Sequence, residues 1–320
     1  MTNFQLIERV LLHQPIAAFF SILLVFVPIL VWMYIFNQKG KQSRKVIFIT
    51  FLAGIFSAII MFIYQYFWEM SLNFGFFELK PINFQQNFAV LTREKFSSFA
   101  SVGILSIFAV SMSIGFIEEY LKHWVVKKAD HNFFNSVDDI IECSIIAGLG
   151  FAFTENIIYL FRELLYGGIS DKYFSLFFLR SIFVVFVHIL CSGIYGYYYG
   201  IGYYAGPILQ EKRMAGRDKI IPEILHRIIH LKKTRVFHDE MVALGLIIST
   251  LIHGIFDFFM SANWTLGGLL GIESLDKIGV HTIVLPLYLV IGFNYLSYLL
   301  DKKEDHKKFG HLVMNEEYVK

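Results

Sequence analysis

Long runs of apolar residues alternate with short polar segments along the whole chain. Seven of these runs reach about twenty residues, the length that an α-helix needs to cross the hydrocarbon core of a bilayer. The predicted fold class is therefore an all-α, polytopic transmembrane helix bundle that forms a single membrane-embedded domain over residues 1–320. The predicted spans are Pro15–Phe36, Val46–Trp68, Phe99–Val126, Ile140–Phe161, Phe174–Gly200, Met241–Ala262 and Gly279–Leu300.

The composition agrees with this pattern and excludes one class of partner. Apolar residues make up 56% of the chain, well above the share in a soluble domain. The net charge of +2 is too small to indicate a nucleic-acid-binding protein, and the basic residues lie in short connections. Cys143 and Cys191 lie inside apolar runs without metal-ligand spacing, so we expect two free, packed thiols.

Positive charge in the connections predicts the orientation of the bundle. The segments after the first, third, fifth and seventh runs are basic, and basic loops are retained on the cytoplasmic side. This predicts an outer N-terminus and a cytoplasmic C-terminus. The basic cytoplasmic loop, residues 207–240, contains EILHRIIHLKK, whose spacing suits either an amphipathic helix on an anionic membrane face or a solvated helix.

A small set of ionisable residues lies inside the predicted spans. A charge at membrane depth costs at least about 2.5 to 3.5 kcal/mol, so each one needs a partner, a water-filled cavity or a function. These residues are confined to four consecutive helices, whereas the other three spans are nearly free of charge. They are Glu118, Glu119, Lys122, Glu142, Glu155, Arg180, His188, His253 and Asp257.

Helical spacing brings several of these side chains together. Lys122 lies within reach of both Glu118 and Glu119, and adjacent residues diverge by about 100°, so one glutamate can face the bundle interior. His253 and Asp257 lie four apart, which lets the carboxylate orient the imidazole. Each pair has a simpler interpretation, either an ion pair at the end of a span or a polar contact between helices. Residue counting places Glu155 about 6 Å toward the outside, the least favourable depth of the set.

Carboxylates and histidines from neighbouring helices could hold a water molecule and remove its proton. A glutamate could do this directly, or a bound Zn²⁺ ion could lower the pKa of the water. Such a water could attack a peptide carbonyl. The chain lacks H-E-x-x-H, a glycine-framed serine nucleophile and a G-x-G-D aspartate pair, so other proteolytic mechanisms are disfavoured.

In the order and spacing of these ionisable residues, the sequence resembles the PrsW intramembrane proteases. That family is related to the CAAX-processing and bacteriocin-processing membrane enzymes. The family pattern has E-E-x-x-K on one helix, an acidic stretch leading to G-L-G-F-A-x-x-E-N, an R with an H about eight residues later, and a final H on another helix. The resemblance covers Gly115 to Phe259, and the matching residues are Glu118, Glu119, Lys122, Asp139, Glu155, Asn156, Arg180, His188 and His253.

The resemblance implies hydrolysis of a peptide bond in a membrane-anchored protein, which in the family's best-known role is an anti-sigma factor, in a bacterial plasma membrane. It implies a catalytic core over residues 99–262, with Glu118 or Glu119 as general base. His188 and His253 would then contact the water or oxyanion, or bind Zn²⁺ together with Glu119. A glutamate mechanism without metal stays open. The supporting residues implied are Lys122, Glu155, Asn156, Arg180 and Asp257.

Two other classes of protein also place ionisable residues in membrane helices. An ion-coupled secondary transporter would do so near the midplane, but it predicts two related halves or broken helices, and the sequence shows neither. A catalytically silent membrane scaffold would use the same residues as a buried polar network. The scaffold interpretation predicts that substitutions of the glutamates harm folding as much as function.

Overall fold

The computed structural model describes residues 3–37, 43–69, 72–73, 78–79, 102–129, 134, 136–214, 231–261, 273–275 and 277–310. Ten α-helices are present among these residues, together with a five-residue π-helix at Arg180–Val184 and a 3₁₀ turn at Glu273–Leu275. The α-helices are α1 Asn3–His13, α2 Pro15–Asn37, α3 Arg44–Glu69, α4 Val102–Ala129, α5 Val137–Gly167, α6 Asp171–Leu179, α7 Val185–Tyr203, α8 Ala205–Met214, α9 Lys233–Ser261 and α10 His281–Gly310.

The described residues contain one minor exception to the helical fold. Strands β1, Leu72–Asn73, and β2, Glu78–Leu79, pair in antiparallel register with Leu72 opposite Leu79. The predicted all-α bundle is confirmed for the membrane-embedded part.

Six of the described helical segments are long and apolar enough to cross a membrane, and all six coincide with predicted spans. The chain is therefore an integral membrane protein. The predicted third span also forms a helix, α4, but its second half carries several charges and it is not among the six. Its crossing of the bilayer and the orientation of the termini stay predictions. The six segments are Pro15–Phe36, Arg44–Ile63, Val137–Gly167, Asp171–Tyr203, Lys233–Ser261 and His281–Lys302.

Helix α1 was not expected from the sequence. Its buried face contains Leu6 and Val10, which are one turn apart, and the helix packs against α5. The predicted fifth span is also different, because α6, the π-helix and α7 follow one another where one regular helix was expected. The segment EILHRIIHLKK in the basic loop lies almost entirely outside the described residues, as does most of the external connection.

Helices α5 and α7 pack against each other at the centre of the bundle. Helices α2 and α3 pack on α5, α9 packs on α7, and α4 lies against both α9 and α3. The contact between α3 and α5 is close because glycines face backbone there. A Cβ atom at Gly54 would collide with the carbonyl of Ala147, and one at Gly150 would collide with the carbonyl of Phe51. Small residues allow membrane helices to approach in this way. This packing fixes α5 as the rigid element that carries Glu155 and Asn156.

Candidate active site

The nine predicted site residues come together in one connected polar network in the middle of the bundle. Helix α4 contributes the two glutamates and the lysine, α5 contributes Glu155 and Asn156, and the remaining residues come from the π-helix, α7 and α9. Glu142, the other ionisable residue singled out in the sequence, lies thirteen positions before Glu155 and thus about 20 Å away along α5.

Glu119 lies at the most enclosed end of the network and is 0% exposed. Its Oε1 atom accepts hydrogen bonds from Lys122 Nζ at 2.5 Å and from His253 Nδ1 at 2.7 Å. Its Oε2 atom lies 3.3 Å from His123 Nε2 but makes no hydrogen bond with the described residues. This carboxylate is therefore surrounded by nitrogen atoms, and charge-assisted hydrogen bonds of this kind are stronger than neutral ones.

Glu118 has a different environment, although it is adjacent in sequence. Its side chain lines a cavity, and its Oε2 atom is buried without a hydrogen-bond partner among the described residues. The nearest nitrogen is His253 Nε2 at 3.5 Å. A buried polar atom without a partner is costly, so it indicates a position where a ligand or water is expected. The expectation that one glutamate faces the interior while the other lies behind it agrees with this arrangement.

Glu155 anchors a second cluster next to the first. Its Oε2 atom lies 2.9 Å from His188 Nε2, and its Oε1 atom lies 2.9 Å from Nη2 of Arg180. The same guanidinium group donates from Nε to Asn156 Oδ1 at 2.8 Å. Glu155 thus belongs to the site despite its unfavourable depth in the residue count.

Lys122 joins the two clusters. Besides Glu119, its Nζ atom donates to His188 Nδ1 at 2.9 Å, and the ammonium group lies 4.7 Å from the ring centre of Phe151. A charged lysine can only donate, so Nδ1 of His188 is an acceptor and the proton of this imidazole is on Nε2, where it is donated to Glu155. The imidazole of His253 donates from Nδ1 to Glu119, and its Nε2 atom faces the carboxylates of Glu118 and Asp257.

The π-helix explains how Arg180 and His188 reach the same carboxylate. Residues eight apart on a regular α-helix differ by about 80° around the axis. A π-turn accommodates one extra residue, which reduces the difference to about 20°. The irregular backbone is supported from α2, where the indole nitrogen of Trp32 donates to the Ser181 carbonyl at 3.0 Å.

The cavity beside Glu118 has a volume of about 720 Å³. Polar residues gather at its deep end, and its long walls are mainly apolar. On α4 the lining extends from Glu118 to Ile107, eleven residues or about 16 Å. The other lining residues used below are Glu155, Tyr159, Arg162, Arg180, His188, His253, Asp257 and Ser261.

Two groups of side chains have the donor atoms and the spacing to hold a metal ion. Glu118, His188 and His253 each offer one donor, and the three donors lie within 4.8 Å of one another. Two histidines and a glutamate are a donor set of catalytic zinc sites. The second group contains Glu119, Cys191 and His253. The sequence had grouped Glu119 with both histidines, whereas the structure places Glu118 there.

Two residues of the site were missed in the sequence. His123 lies one turn after Glu119 on α4, and its ring stacks on Tyr195. Cys191 lies three residues after His188 on α7, is fully buried and is a free thiol. Both could have been found from helical spacing, because residues three or four apart share a helix face.

A carboxylate and two histidines beside a cavity, enclosed by membrane helices, indicate a membrane-embedded hydrolase. A comparison with protein families matches residues 42–291 to the PrsW family intramembrane metalloproteases. Because this match covers well over half of the chain, the protein belongs to that family and is a peptidase. The match also includes the second predicted span and the external connection, which the sequence resemblance had left out. No curated protein and no solved structure matched the chain in the same set of comparisons.

Proposed function

We propose that the protein hydrolyses a peptide bond of a membrane-anchored protein, with Glu118 as the general base. The observation that carries the proposal is the Oε2 atom of Glu118, which is buried, has no hydrogen-bond partner among the described residues and lines the cavity. A water molecule placed there would contact a carboxylate that is available to accept its proton. Glu119 is less suited to this role, because its Oε1 atom is already bound by Lys122 and His253 and because its Oε2 atom, although it also lacks a hydrogen-bond partner among the described residues, does not line the cavity.

The reaction follows from this position. Glu118 accepts a proton from water as the water oxygen bonds to the peptide carbonyl carbon, which becomes tetrahedral. The carbon–nitrogen bond then breaks, and the carboxyl group of Glu118 gives the proton to the leaving amine. General acid–base catalysis by one positioned group contributes about 10² to 10⁴ in rate.

The neighbouring residues hold this geometry. Glu119 orients His253 through Nδ1, so that Nε2 faces Glu118 at 3.5 Å and Asp257 at 3.6 Å. His188 also lines this end of the cavity, and it would contact the developing oxyanion with the Nε2 N–H group that the Glu155 carboxylate accepts in the structure. Lys122 fixes the tautomer of His188 by donating to its Nδ1 atom, and it holds Glu119, which in turn accepts from His253.

The site also fits a metal ion, as the family description implies. Glu118, His188 and His253 would hold it, and the Oε2 atom of Glu118, which has no hydrogen-bond partner among the described residues, supports this assignment. His188 would use a nitrogen that now contacts Glu155 or Lys122. A Zn²⁺ ion in such a site supplies Lewis-acid polarisation and a lowered pKa of bound water.

The apolar walls of the cavity suit a membrane-spanning segment better than a soluble peptide. We propose as substrate a single-span membrane protein, and the family resemblance favours an anti-sigma factor in a bacterial plasma membrane. The basic connections favour an outer N-terminus.

The decisive experiment is cleavage of single-span proteins by the purified protein in lipid vesicles. Wild type is compared with Glu118→Gln, Glu119→Gln and His253→Ala, each with and without a chelator. Glu163→Gln is the matched control, because Glu163 lies on α5, pairs with Lys172 and does not line the cavity.

We expect wild type and the control to cut, and folded Glu118→Gln to lose at least about 100-fold in rate. Loss of cleavage on chelation and its recovery with Zn²⁺ would support the metal assignment. Wild-type activity retained by folded Glu118→Gln would overturn the role of Glu118, and a folded wild type that cuts none of the panel would overturn the proposed function.

A further inference from the structure

The cavity continues from the proposed catalytic residues to the surface along one face of α5. Its lining follows this helix through Glu155, Tyr159 and Arg162, which are three or four residues apart. Arg162 is exposed, as is Ser261 at the end of α9. The cavity therefore has a deep polar end and a mouth, and Arg162 lies at the mouth.

Charge is distributed unevenly between the two ends. The deep end contains the carboxylates of Glu118, Glu155 and Asp257. The guanidinium group of Arg180 also lies there, but it forms an ion pair with Glu155. At the mouth, Arg162 has no acidic partner in the part of the chain that the structure describes. Its Nη2 atom donates to the neutral Oδ1 atom of Asn3 at 3.2 Å.

Both arginines lie close to the ring of Tyr159, Arg180 at the deep end and Arg162 at the mouth. The guanidinium carbon of Arg180 lies 3.7 Å from the ring centre of Tyr159, and that of Arg162 lies 5.7 Å from it. Stacking on an aromatic ring leaves the in-plane N–H groups of a guanidinium available for a carboxylate. Arg162 therefore lines the cavity at its mouth and has further N–H donors available for a charged ligand.

We propose that Arg162 is a specificity-determining residue that binds an aspartate or glutamate carboxylate of the substrate at the cavity mouth. This inference rests on the proposed proteolytic function. Arg162 lies seven residues from Glu155 on α5, a rise of about 10 Å. An extended chain covers that distance in about three residues, so the acidic residue is expected about three positions from the scissile bond on the side of the mouth.

A simpler interpretation makes a different prediction. An arginine near the end of a membrane helix also extends toward the polar interface, whether or not it contacts substrate. In that case the rate of cleavage would not depend on the charge of one substrate position. The two interpretations are separated by exchanging charges between enzyme and substrate.

The probe is a synthetic single-span peptide with an apolar segment, reconstituted with the protein in lipid vesicles, whose cleavage position is mapped by mass spectrometry. Aspartate, asparagine or lysine is then placed at each of the second to fifth positions toward the mouth, and kcat/KM is measured. The enzyme variants are Arg162→Gln and Arg162→Glu. Lys172→Glu is the control. Lys172 lies at the start of α6, is 78% exposed and pairs with Glu163, the neighbour of Arg162 in sequence, but it does not line the cavity.

We expect wild type and Lys172→Glu to prefer aspartate over lysine by about fivefold at one position, as for a partly exposed ion pair. Arg162→Gln should lose the preference, and Arg162→Glu should reverse it. Cleavage that is independent of charge, or a preference unchanged in folded Arg162→Glu, would overturn the inference and leave the proposed function in place. Absence of any cleavage by folded wild type would overturn both.

Discussion

The two adjacent glutamates of α4 have opposite environments. Glu119 contacts nitrogen atoms of Lys122, His253 and His123 and does not line the cavity, whereas Glu118 lines the cavity with an oxygen that lacks a hydrogen-bond partner among the described residues. The first arrangement stabilises a charge, and the second leaves a charge available to react. Helix geometry produces the difference, because neighbouring residues point about 100° apart. One dipeptide can therefore supply both a structural and a reactive carboxylate.

The largest expected effect separates the two carboxylates by activity. Glu118→Gln should lower the rate of cleavage by about 10² to 10⁴ while the unfolding midpoint stays equal to that of wild type or rises, because a buried carboxylate oxygen without a hydrogen bond is removed. Rates in vesicles and thermal unfolding in the same lipid would test this. A clear fall in the unfolding midpoint would contradict the assignment of Glu118 as the reactive group.

The second-largest effect concerns the free energy of unfolding, to which the contacts of Glu119 with Lys122 contribute. Lys122→Met should lower the free energy of unfolding by about 3 to 5 kcal/mol, because Glu119 would remain buried without its cation and His188 would lose a donor. Denaturant unfolding of the solubilised protein would measure the loss. Lys172→Met serves as the control. If Lys122→Met were as stable as wild type, the Glu119 cluster would not be a stabilising unit.

A smaller effect on the free energy of unfolding is expected at the close contact between α3 and α5. Gly150→Ala should cost about 1 to 3 kcal/mol, since its Cβ would collide with the carbonyl of Phe51 and force α3 and α5 apart. Cleavage should also slow, because Glu155 lies on α5. The corresponding control is Gly167→Ala at the end of α5, whose Cβ would meet only the flexible side chain of Glu163. A fully stable Gly150→Ala variant would show that this helix contact is not tight.

The smallest effect is expected outside the network. Lys172→Ala removes a partner of Glu163 at 2.7 Å, but the lysine is 78% exposed. The free energy of unfolding should change by about 0 to 1 kcal/mol. A loss as large as that of Lys122→Met would mean that the buried pair Lys122–Glu119 stabilises the protein no more than the exposed pair Lys172–Glu163. The comparison between the inner cluster and the surface would then fail.

Sequence reasoning identified the bundle and the nine residues that form the polar network, because intramembrane charge is rare and helical spacing is regular. It did not find α1, whose eleven residues are too short to appear as a span. It missed the π-helix at Arg180–Val184, because π-turns depend on packing and have no simple sequence pattern. The roles of the nine residues and the orientation of the termini stay predictions.

The sequence by itself determined that this chain is a membrane bundle with ionisable residues on four consecutive helices, since hydrophobicity and residue spacing are local properties. Only the tertiary structure decided which glutamate faces the cavity and which one Lys122 neutralises. It also decided that Arg180 and His188 meet at Glu155, and that Arg162 lies at the mouth of the same cavity. The physical reason is that these contacts depend on the rotation and depth of each helix relative to its neighbours, which are set by packing at residues such as Gly54 and Gly150 and by the backbone irregularity before α7.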